Sequence, residues 1–326
     1  MKPVWRISIL ILLSVFLFDS SYADSSSDRG GISPPAVFGE NYSTADDSSS
    51  ALREELADIS AFVKTGLTFA KNHSKEETLA RLNDPEGEFV QGERYLFAYD
   101  MNGTTLALPY EKELIGKNRM SLVDSNGVAF IELLSRVADY GGGYLYYVYP
   151  NPAENFTPQV KIAYVEPAGE DWFIGSGLYI PGIDAVLDKE ALSGLMARVD
   201  TAAAFSSEQG KEKALAAFND RNGTWSKDTA YIFAYGMNGT TLAMPYQPES
   251  IGENRWNYTD TFGSPIARLE IDRGKAGGGF VYVVYYNPGT GRNELKICYI
   301  LPAGDDWVVG SGDYINPLVP VNLVSS

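Results

Sequence analysis

The 326-residue sequence has few of the residues with which proteins usually build metal centres, disulfide frameworks and catalytic triads. It contains one cysteine, Cys298, and one histidine, His73. A single cysteine excludes an intrachain disulfide and a cysteine-rich zinc site, and a single histidine excludes a centre with several histidine ligands. We therefore expect no metal, no cofactor and no enzymatic activity, and both His73 and Cys298 are interpreted as structural residues.

Positive charge is also scarce. The chain carries 26 Lys and Arg against 42 Asp and Glu, for a net charge of −16. A nucleic-acid-binding protein needs a basic footprint, so we expect no nucleic-acid partner. Hydrophobic residues make up 44%, which is enough for a folded core.

Long apolar runs are missing except near the N-terminus. Ile7–Phe18 is apolar, follows two basic residues and precedes a small-x-small cleavage site at Ser21–Ala23. Twelve residues of helix span about 18 Å, less than the roughly 30 Å of a bilayer core. We predict a cleaved secretory signal over residues 1–23, and the alternative is an uncleaved N-terminal anchor. The protein is then secreted, or tethered to the outer face of the cell membrane, with no membrane span after the signal segment.

An internal repeat dominates the rest of the sequence. Tyr95–Arg119 and Tyr231–Arg255 are identical at 18 of 25 positions, at an offset of 136. Shorter matches continue in order to the pair DWFIGSGLY (171–179) and DWVVGSGDY (306–314), where the offset is 135. This period is too long for a solenoid and indicates a duplicated domain. We predict a disordered Ser- and Asp-rich linker over 24–50, domains over 51–185 and 186–317, and a tail over 318–326.

Each copy has the same predicted order of elements. A long helix with apolar residues at spacings of three and four comes first, followed by a short helix over Lys75–Leu82 or Lys211–Phe218. Two strands around an Asn-Gly turn then form a hairpin, and a loop, a short helix and three further strands follow. This order predicts an α+β fold in which the long N-terminal helix packs on a central antiparallel sheet. The strand order stays open.

Two glycine motifs have a functional and a structural interpretation. The sequence of Asp100–Gly103 resembles the beginning of a calcium-binding loop. However, Gly236 replaces Asp100 in the second copy, and no glutamate stands at the position that would complete a twelve-residue loop. Gly141–Gly143 is glycine-rich like a phosphate cradle, but no Lys-Ser/Thr follows it. We favour a hairpin turn for the first motif and a tight turn before a strand for the second.

The best candidates for a binding pocket are aromatic and basic residues kept in both copies. They combine alternating positions of two strands, a lysine in an otherwise apolar strand, and an arginine at the end of a Gly-x-Asn-Arg loop. The alternative is an aromatic core with basic side chains that extend to the surface. The candidates of the first copy are Tyr95, Phe97, Tyr99, Arg119, Tyr144, Tyr146 and Lys161, and those of the second are Tyr231, Phe233, Tyr235, Arg255, Phe280, Tyr282 and Lys296. An aromatic pocket with a cation would bind a small anion such as a carboxylate.

Both copies contain several short motifs in the same order: Y-x-F-A-Y-x-M-N-G-T-x-L-A-x-P-Y, I-G-x-N, D-x-x-G, G-G-G-[YF], K-I-x-Y and D-W-x-x-G-S-G-x-Y. These motifs resemble those of type 2 single Cache domains. That family comprises extracellular sensor modules of chemoreceptors and histidine kinases. The resemblance implies two tandem PAS-like domains, each with a ligand-sized cavity on its sheet, and ligands that are small organic molecules, often short carboxylates.

Two departures from the family pattern matter. Leu108 and Met244 stand where family members often have histidine, so the ligand is more apolar or the pocket is vestigial. We expect no transmembrane, HAMP, kinase or methyl-accepting segment after Ser326. We therefore expect a freestanding binding protein or one that passes its state to a membrane-bound signalling partner.

The sequence thus predicts an exported, non-enzymatic protein that binds or senses a small molecule, with a short organic acid as the expected ligand. The first alternative is a cell-surface or envelope interaction protein that uses Cache domains as structural spacers. A secreted hydrolase is the weaker alternative, because the chain offers no nucleophile with an adjacent base.

Overall fold

The computed structural model describes residues 47–183 and 186–316, with side chains from residue 50 onward. The predicted signal segment, most of the predicted linker and the tail over 318–326 lie outside the described residues. The first helix begins at Asp47, within the last four residues of the predicted linker. Among the described residues, no helix has the length and apolar character to cross a membrane.

The elements of the first repeat, which we define as residues 51–185 together with the start of its first helix, follow the predicted order. They are α1 (Asp47–Asn72), α2 (Lys75–Leu82), β1 (Val90–Gln91), β2 (Arg94–Tyr95), β3 (Phe97–Asp100), β4 (Thr105–Ala107), α3 (Phe130–Asp139), β5 (Gly143–Asn151), β6 (Thr157–Pro167) and β7 (Trp172–Ile180), with short 3-10 turns at Lys112–Leu114 and Pro152–Glu154.

The second repeat, residues 186–317, has the same elements in the same order. They are α4 (Lys189–Gln209), α5 (Lys211–Phe218), β8 (Ser226–Lys227), β9 (Ala230–Tyr231), β10 (Phe233–Gly236), β11 (Thr241–Ala243), α6 (Ile266–Lys275), β12 (Gly279–Asn287), β13 (Arg292–Pro302) and β14 (Trp307–Asn316), with a 3-10 turn at Pro248–Ser250.

Each repeat contains one five-stranded antiparallel sheet. The strand order is β4-β3-β7-β6-β5 in the first repeat and β11-β10-β14-β13-β12 in the second. The hairpin strands therefore lie beside the last strand of their repeat, an arrangement that the sequence left open. The α+β class and the tandem arrangement are confirmed.

The long helix of the first repeat is placed by its apolar stripe. Leu52, Leu56, Ile59 and Val63 recur at spacings of three and four and are all buried. This stripe packs on β6 and β7. The opposite side of the same sheet faces α3, which buries Phe130, Ile131 and Leu134. The two helices thus cover the two faces of the sheet.

A pair of asparagines fixes the short helices to the hairpins. The Asn83 side chain accepts a hydrogen bond from the Leu108 backbone N–H and donates one to the Leu106 carbonyl, at 3.0 Å each. Asn219 makes the same two bonds in the second repeat. The repeated Asn-Asp step is therefore a structural brace that satisfies backbone groups between α2 and β4.

The repeated Gly-Ser-Gly of β7 and β14 provides room on the α3 and α6 side of each sheet. A Cβ atom at Gly175 would lie 2.5 Å from the Phe97 ring, and one at Gly177 would lie 2.5 Å from Lys161 Cε. Gly310 and Gly312 have the same relation to Phe233 and Lys296. Between the glycines, Ser176 Oγ donates to the Tyr95 carbonyl, as Ser311 does to Tyr231. The motif therefore allows a buried ring and a buried lysine to lie flat on the sheet.

The two repeats fall in one compact unit and contact each other reciprocally. Tyr146 on β5 donates to Asp260 at 2.7 Å, and Tyr282 on β12 accepts from Asn126 at 2.5 Å. Asp260 lies in the loop before α6, and Asn126 lies in the matching loop before α3. Corresponding parts of the two copies thus meet around an approximate two-fold relation, as expected for an interface between similar surfaces.

Charged groups close the sides of this interface. Arg273 on α6 forms an ion pair with Glu132 on α3 at 2.8 Å, and Tyr140 donates to Asp272. Burial raises the pKa of Asp260 to about 6, although the hydrogen bond from Tyr146 acts in the opposite direction.

We predict that Gly175→Ala lowers the free energy of unfolding by about 1–3 kcal/mol, because the added methyl group overpacks the core against Phe97 and Val165. The control is Gly194→Ala in α4, where no atom lies within 4 Å of the new Cβ. Removing a glycine from an open helix position should raise stability by about 0.5–1 kcal/mol. Chemical denaturation of both variants measures the difference, and equal effects would contradict the close packing of the glycine motif.

Candidate functional site

The first repeat encloses a small cavity between α3 and its sheet. The cavity measures about 10 Å³, the room for one water molecule. Its walls come from β2, β3, β5, β6, α3 and the residue after β4. They are formed by Tyr95, Phe97, Tyr99, Leu108, Phe130, Ile131, Leu134, Tyr147, Tyr149 and Lys161. The resemblance implied a ligand-sized cavity, so this expectation is not met in the conformation described.

Lys161 is the one charged residue in this wall. Its side chain is 2% exposed, and its Nζ donates to Tyr95 Oη at 3.0 Å and to Tyr179 Oη at 3.3 Å. Tyr179 in turn donates to the Pro150 carbonyl. The hydroxyl groups remain protonated at neutral pH, because burial raises the pKa values of Tyr95 and Tyr179. Lys161 is thus solvated by dipoles rather than by an opposite charge.

Aromatic rings complete the surroundings of the Lys161 ammonium group. Its Nζ lies 4.6 Å from the ring centroids of both Tyr95 and Tyr179, 5.4 Å from Tyr149 and 5.7 Å from Phe97. Such contacts stabilise a desolvated cation by about 2 kcal/mol. They do not offset the burial, which lowers the Lys161 pKa to about 7.

Among the described residues, the carboxylate that acts on Lys161 is that of Glu111, and it raises the lysine pKa only in part. Glu111 is engaged elsewhere, since it accepts a hydrogen bond from Tyr149 at 2.7 Å. Arg119 donates to Tyr99 and Tyr149, at 3.2 and 3.3 Å, and so fixes both tyrosines from the far end of the pocket. Arg119 is a positioning residue for the wall, and Lys161 is the cation that faces the interior.

The second repeat has the same cation in a similar cage. Lys296 Nζ lies 4.0 Å from the Tyr231 ring centroid, 5.0 Å from Tyr314, 5.5 Å from Phe233 and 5.9 Å from Tyr285. Arg255 again donates to a tyrosine of the wall, at 2.9 Å from Tyr285 Oη.

The second pocket differs at one charged position. Glu270 on α6 corresponds to Leu134 of the first cavity and is 2% exposed. Burial raises its pKa to about 7, while the positive charge of Lys296 acts in the opposite direction. Glu270 also influences the pKa values of Tyr231, Tyr235 and Tyr285, which places its carboxylate among the side chains of the second pocket.

Most of the residues chosen from the sequence come together. In the first repeat, Tyr95, Phe97, Tyr99, Leu108 and Lys161 line the cavity, and Arg119 bonds to its wall. In the second repeat, Lys296 contacts Tyr231 and Phe233, and Tyr285 joins Arg255 to Met244. The charge of Arg255 also acts on Tyr235.

Four chosen residues lie on the other side of their strands. Tyr144 donates to the Leu56 carbonyl of α1, and Tyr146 donates to Asp260 of the second repeat. Phe280 and Tyr282 contact the loop with Gly127 and Asn126 in the first repeat. The structure does not bring these residues to the cavity, because successive residues of a strand face opposite sides. Tyr147 and Tyr149 line it instead.

Sequence reasoning also missed the contributions of α3 and α6. Phe130, Ile131 and Leu134 share a helical face, and this spacing could have indicated a wall of the pocket. Glu270 was missed because the search considered residues that the two copies share, and this position is one where they differ. Tyr179 and Tyr314 stand at matched positions and could have been found in that way.

Comparison with known proteins gives a consistent family. A family model described as Single Cache domain 2 matches residues 68–193 and again residues 189–318. A sensor histidine kinase, MctS of Rhizobium johnstonii, is 31% identical over 93 residues, which are 28% of this chain. The chain spans about a fifth of the length of that curated relative, 20%.

Solved structures of similar fold include chemoreceptor domains. A methyl-accepting chemotaxis protein from Vibrio parahaemolyticus is 27% identical, with a TM-score of 0.37, over 41% of this chain and 95% of that one. A structure described as showing carboxylic acid recognition by a Cache chemosensory domain is 22% identical, with a TM-score of 0.30, over 41% of this chain and 92% of that one.

We predict that Lys161→Met raises the free energy of unfolding below pH 7. The buried ammonium group has a pKa about 3.5 below its ordinary value, so its protonated form destabilises the fold by at most about 5 kcal/mol. The unfolded chain binds this proton up to about pH 10.5, so the destabilisation is full below pH 7 and disappears as the pH rises to 10.5. Denaturation of the variant and the wild type across this range measures it.

The matched control is Lys296→Met, which leaves the Glu270 carboxylate buried without its cation. We expect that variant to be less stable than the wild type at pH 8, because the wild type contains an ionised Glu270 with its cation and the variant has lost the cation. Stabilisation of similar size by both substitutions would contradict the difference between the two pockets.

Proposed function

Because the chain belongs to the single Cache domain 2 family, whose members are extracytoplasmic sensor domains for small ligands, we propose that it binds a small carboxylic acid in the pocket of the first repeat. The observation that supports this proposal most strongly is Lys161. An enclosed ammonium group with its pKa lowered to about 7 lacks an opposite charge that a carboxylate ligand would supply. In the proposed complex, the carboxylate binds Lys161 and accepts a hydrogen bond from Tyr95.

The rest of the wall favours an apolar remainder of the ligand. Phe97, Leu108, Phe130 and Tyr147 surround the interior, and Leu108 offers no polar group. A small acid of about six heavy atoms gains at most about 9 kcal/mol, at roughly 1.5 kcal/mol per atom, which limits its affinity to the micromolar range. The net charge of −16 does not oppose this locally, because salt screens surface charges beyond about 8 Å.

The size of the cavity makes binding depend on a change of conformation. A volume of about 10 Å³ holds one water molecule, so an acid enters only when the wall moves. A ligand that fits one conformation and not the other shifts the population towards the one it fits, which is the property that a sensor needs. A protein that used the repeats only as spacers would gain nothing from a buried, unneutralised lysine, and this disfavours the alternative.

We also propose that the protein is exported and acts outside the cytoplasm. The apolar segment Ile7–Phe18 with its basic start and cleavage site supports export. The proposed protein is non-enzymatic and passes its ligand-dependent state to a membrane-bound signalling partner.

We predict that the wild-type protein binds at least one acid from a panel of C2–C6 carboxylates with micromolar affinity, and that Lys161→Met abolishes the binding. Isothermal titration calorimetry measures both. The control is Lys64→Met, which removes the same charge from an exposed position on α1. The proposal would be overturned if the folded wild type binds none of the acids in the panel. It would also be overturned if Lys161→Met and Lys64→Met lose binding to the same extent.

We further predict that acid affinity decreases above pH 7. The ligand is anionic throughout this range, while the free protein loses the Lys161 proton at a pKa of about 7. Binding above that pH therefore requires uptake of a proton, and the dissociation constant should rise up to tenfold per pH unit. Titrations at pH 6, 7, 8 and 9 in buffers with different ionisation enthalpies check both the affinity and the proton uptake. A flat profile would contradict the role of Lys161.

A further inference from the structure

The two pockets keep the same cation and the same strand aromatics, but they differ on the wall formed by α3 and α6. Tyr95, Phe97, Tyr99, Tyr149 and Lys161 have identical counterparts at the same repeat positions. The five differences are Phe130 to Ile266, Ile131 to Ala267, Leu134 to Glu270, Tyr147 to Val283 and Leu108 to Met244. The differences thus concentrate where α3 or α6 faces the sheet, around the one substitution that introduces a charge.

Glu270 has the position and the chemistry of a bound acid. Leu134, its counterpart, lines the first cavity together with Lys161, so the helix directs this position towards the lysine. Both Glu270 and Lys296 are at most 2% exposed. Lys296 lies against the rings of Tyr231 and Tyr285, and the charge of Glu270 acts on the same two tyrosines. A buried carboxylate needs a cation or hydrogen-bond donors, and a buried cation needs the reverse.

We infer that Glu270 is a built-in substitute for the ligand carboxylate, so that the second pocket supplies its own negative charge and only the first repeat takes up an acid from solution. This inference rests on the proposed function of the first pocket and adds the regulation of the second. The chain then combines one responsive repeat with one that is fixed by its own side chain.

Two other features agree with a pocket that no longer binds the same ligand. Tyr147 and Phe130 stack on each other in the first repeat, with centroids 4.8 Å apart, and both become aliphatic in the second. The acid at the edge of the first pocket, Glu111, becomes Gln247, which accepts from Tyr285 at 2.6 Å. One carboxylate is therefore lost at the edge and one is gained in the interior.

The test exchanges the two side chains between the repeats. Leu134→Glu should abolish acid binding in calorimetry, because the new carboxylate neutralises Lys161. Leu134→Gln fills a similar volume without charge and should weaken binding by a smaller factor. Equal loss in these two variants would show that volume rather than charge closes the pocket, and this would overturn the inference.

The reciprocal exchange is made in a variant whose first site no longer binds an acid. Lys161→Met alone should bind no acid, and Lys161→Met with Glu270→Leu should regain one site of micromolar affinity. Adding Lys296→Met should remove the regained binding. Acid binding by Lys161→Met alone would overturn the inference, because the second pocket would then accept an acid with Glu270 in place. The inference would also be overturned if the variant with Lys161→Met and Glu270→Leu folds but binds no acid.

A double-mutant cycle separates this inference from the proposed function. Unfolding of the wild type, Lys296→Met, Glu270→Leu and the double variant is measured without any ligand. We expect non-additive effects, with the double variant more stable than the sum of the single losses predicts. If the wild type binds no acid, the proposed function fails, while this cycle still decides whether Glu270 neutralises Lys296. Additive effects would overturn the inference independently of binding.

Discussion

The buried ammonium group of Lys161 is the constraint on which the organisation of the first repeat depends. A cation in an apolar interior is costly, and here two tyrosine hydroxyls and four aromatic rings reduce that cost. Gly177 leaves room for the lysine stem on the neighbouring strand. Arg119 and Glu111 hold the tyrosines of the far wall from outside the cavity. The repeated motifs therefore serve one arrangement, in which a lysine lies flat on a sheet among aromatic rings.

The duplication separates the parts of this arrangement that both copies keep from the parts that vary. The lysine, the glycines beside it and the phenylalanine ring beside it occur in both copies. The wall of α3 and α6 is free to differ, because it packs on the sheet through side chains and makes no backbone ladder with it. A substitution there changes the charge of the pocket without disturbing the strand register.

Much of the fold could be predicted from the sequence, because it depends on local patterns. The short helices, the Asn-Gly hairpins and the long apolar stripe of α1 follow from spacing and turn chemistry. The order of the strands could not be predicted, since pairing between β3 and β7 depends on contacts between residues far apart in sequence. The alternation along β5 identified two faces but not which one faces α3, and so Tyr146 was assigned to the pocket in place of Tyr147. A comparison of the copies for differences as well as identities would have drawn attention to Glu270.

Strand β5 joins the pocket of the first repeat to the interface between the repeats. Tyr147 and Tyr149 face the cavity, while Tyr146 between them donates to Asp260 of the second repeat. The same Asp260 carboxylate accepts from the Val284 backbone N–H on β12, beside the second pocket.

The reciprocal connection runs through the loop before α3. Asp124 accepts from the Val148 backbone N–H on β5, and Asn126 in the same loop donates to Tyr282 on β12. Because the first cavity has room for one water molecule, the proposed acid would have to displace part of its wall, and β5 is one side of that wall. A displacement of β5 would act on hydrogen bonds to both loops, and these loops hold the edge strand of the second sheet.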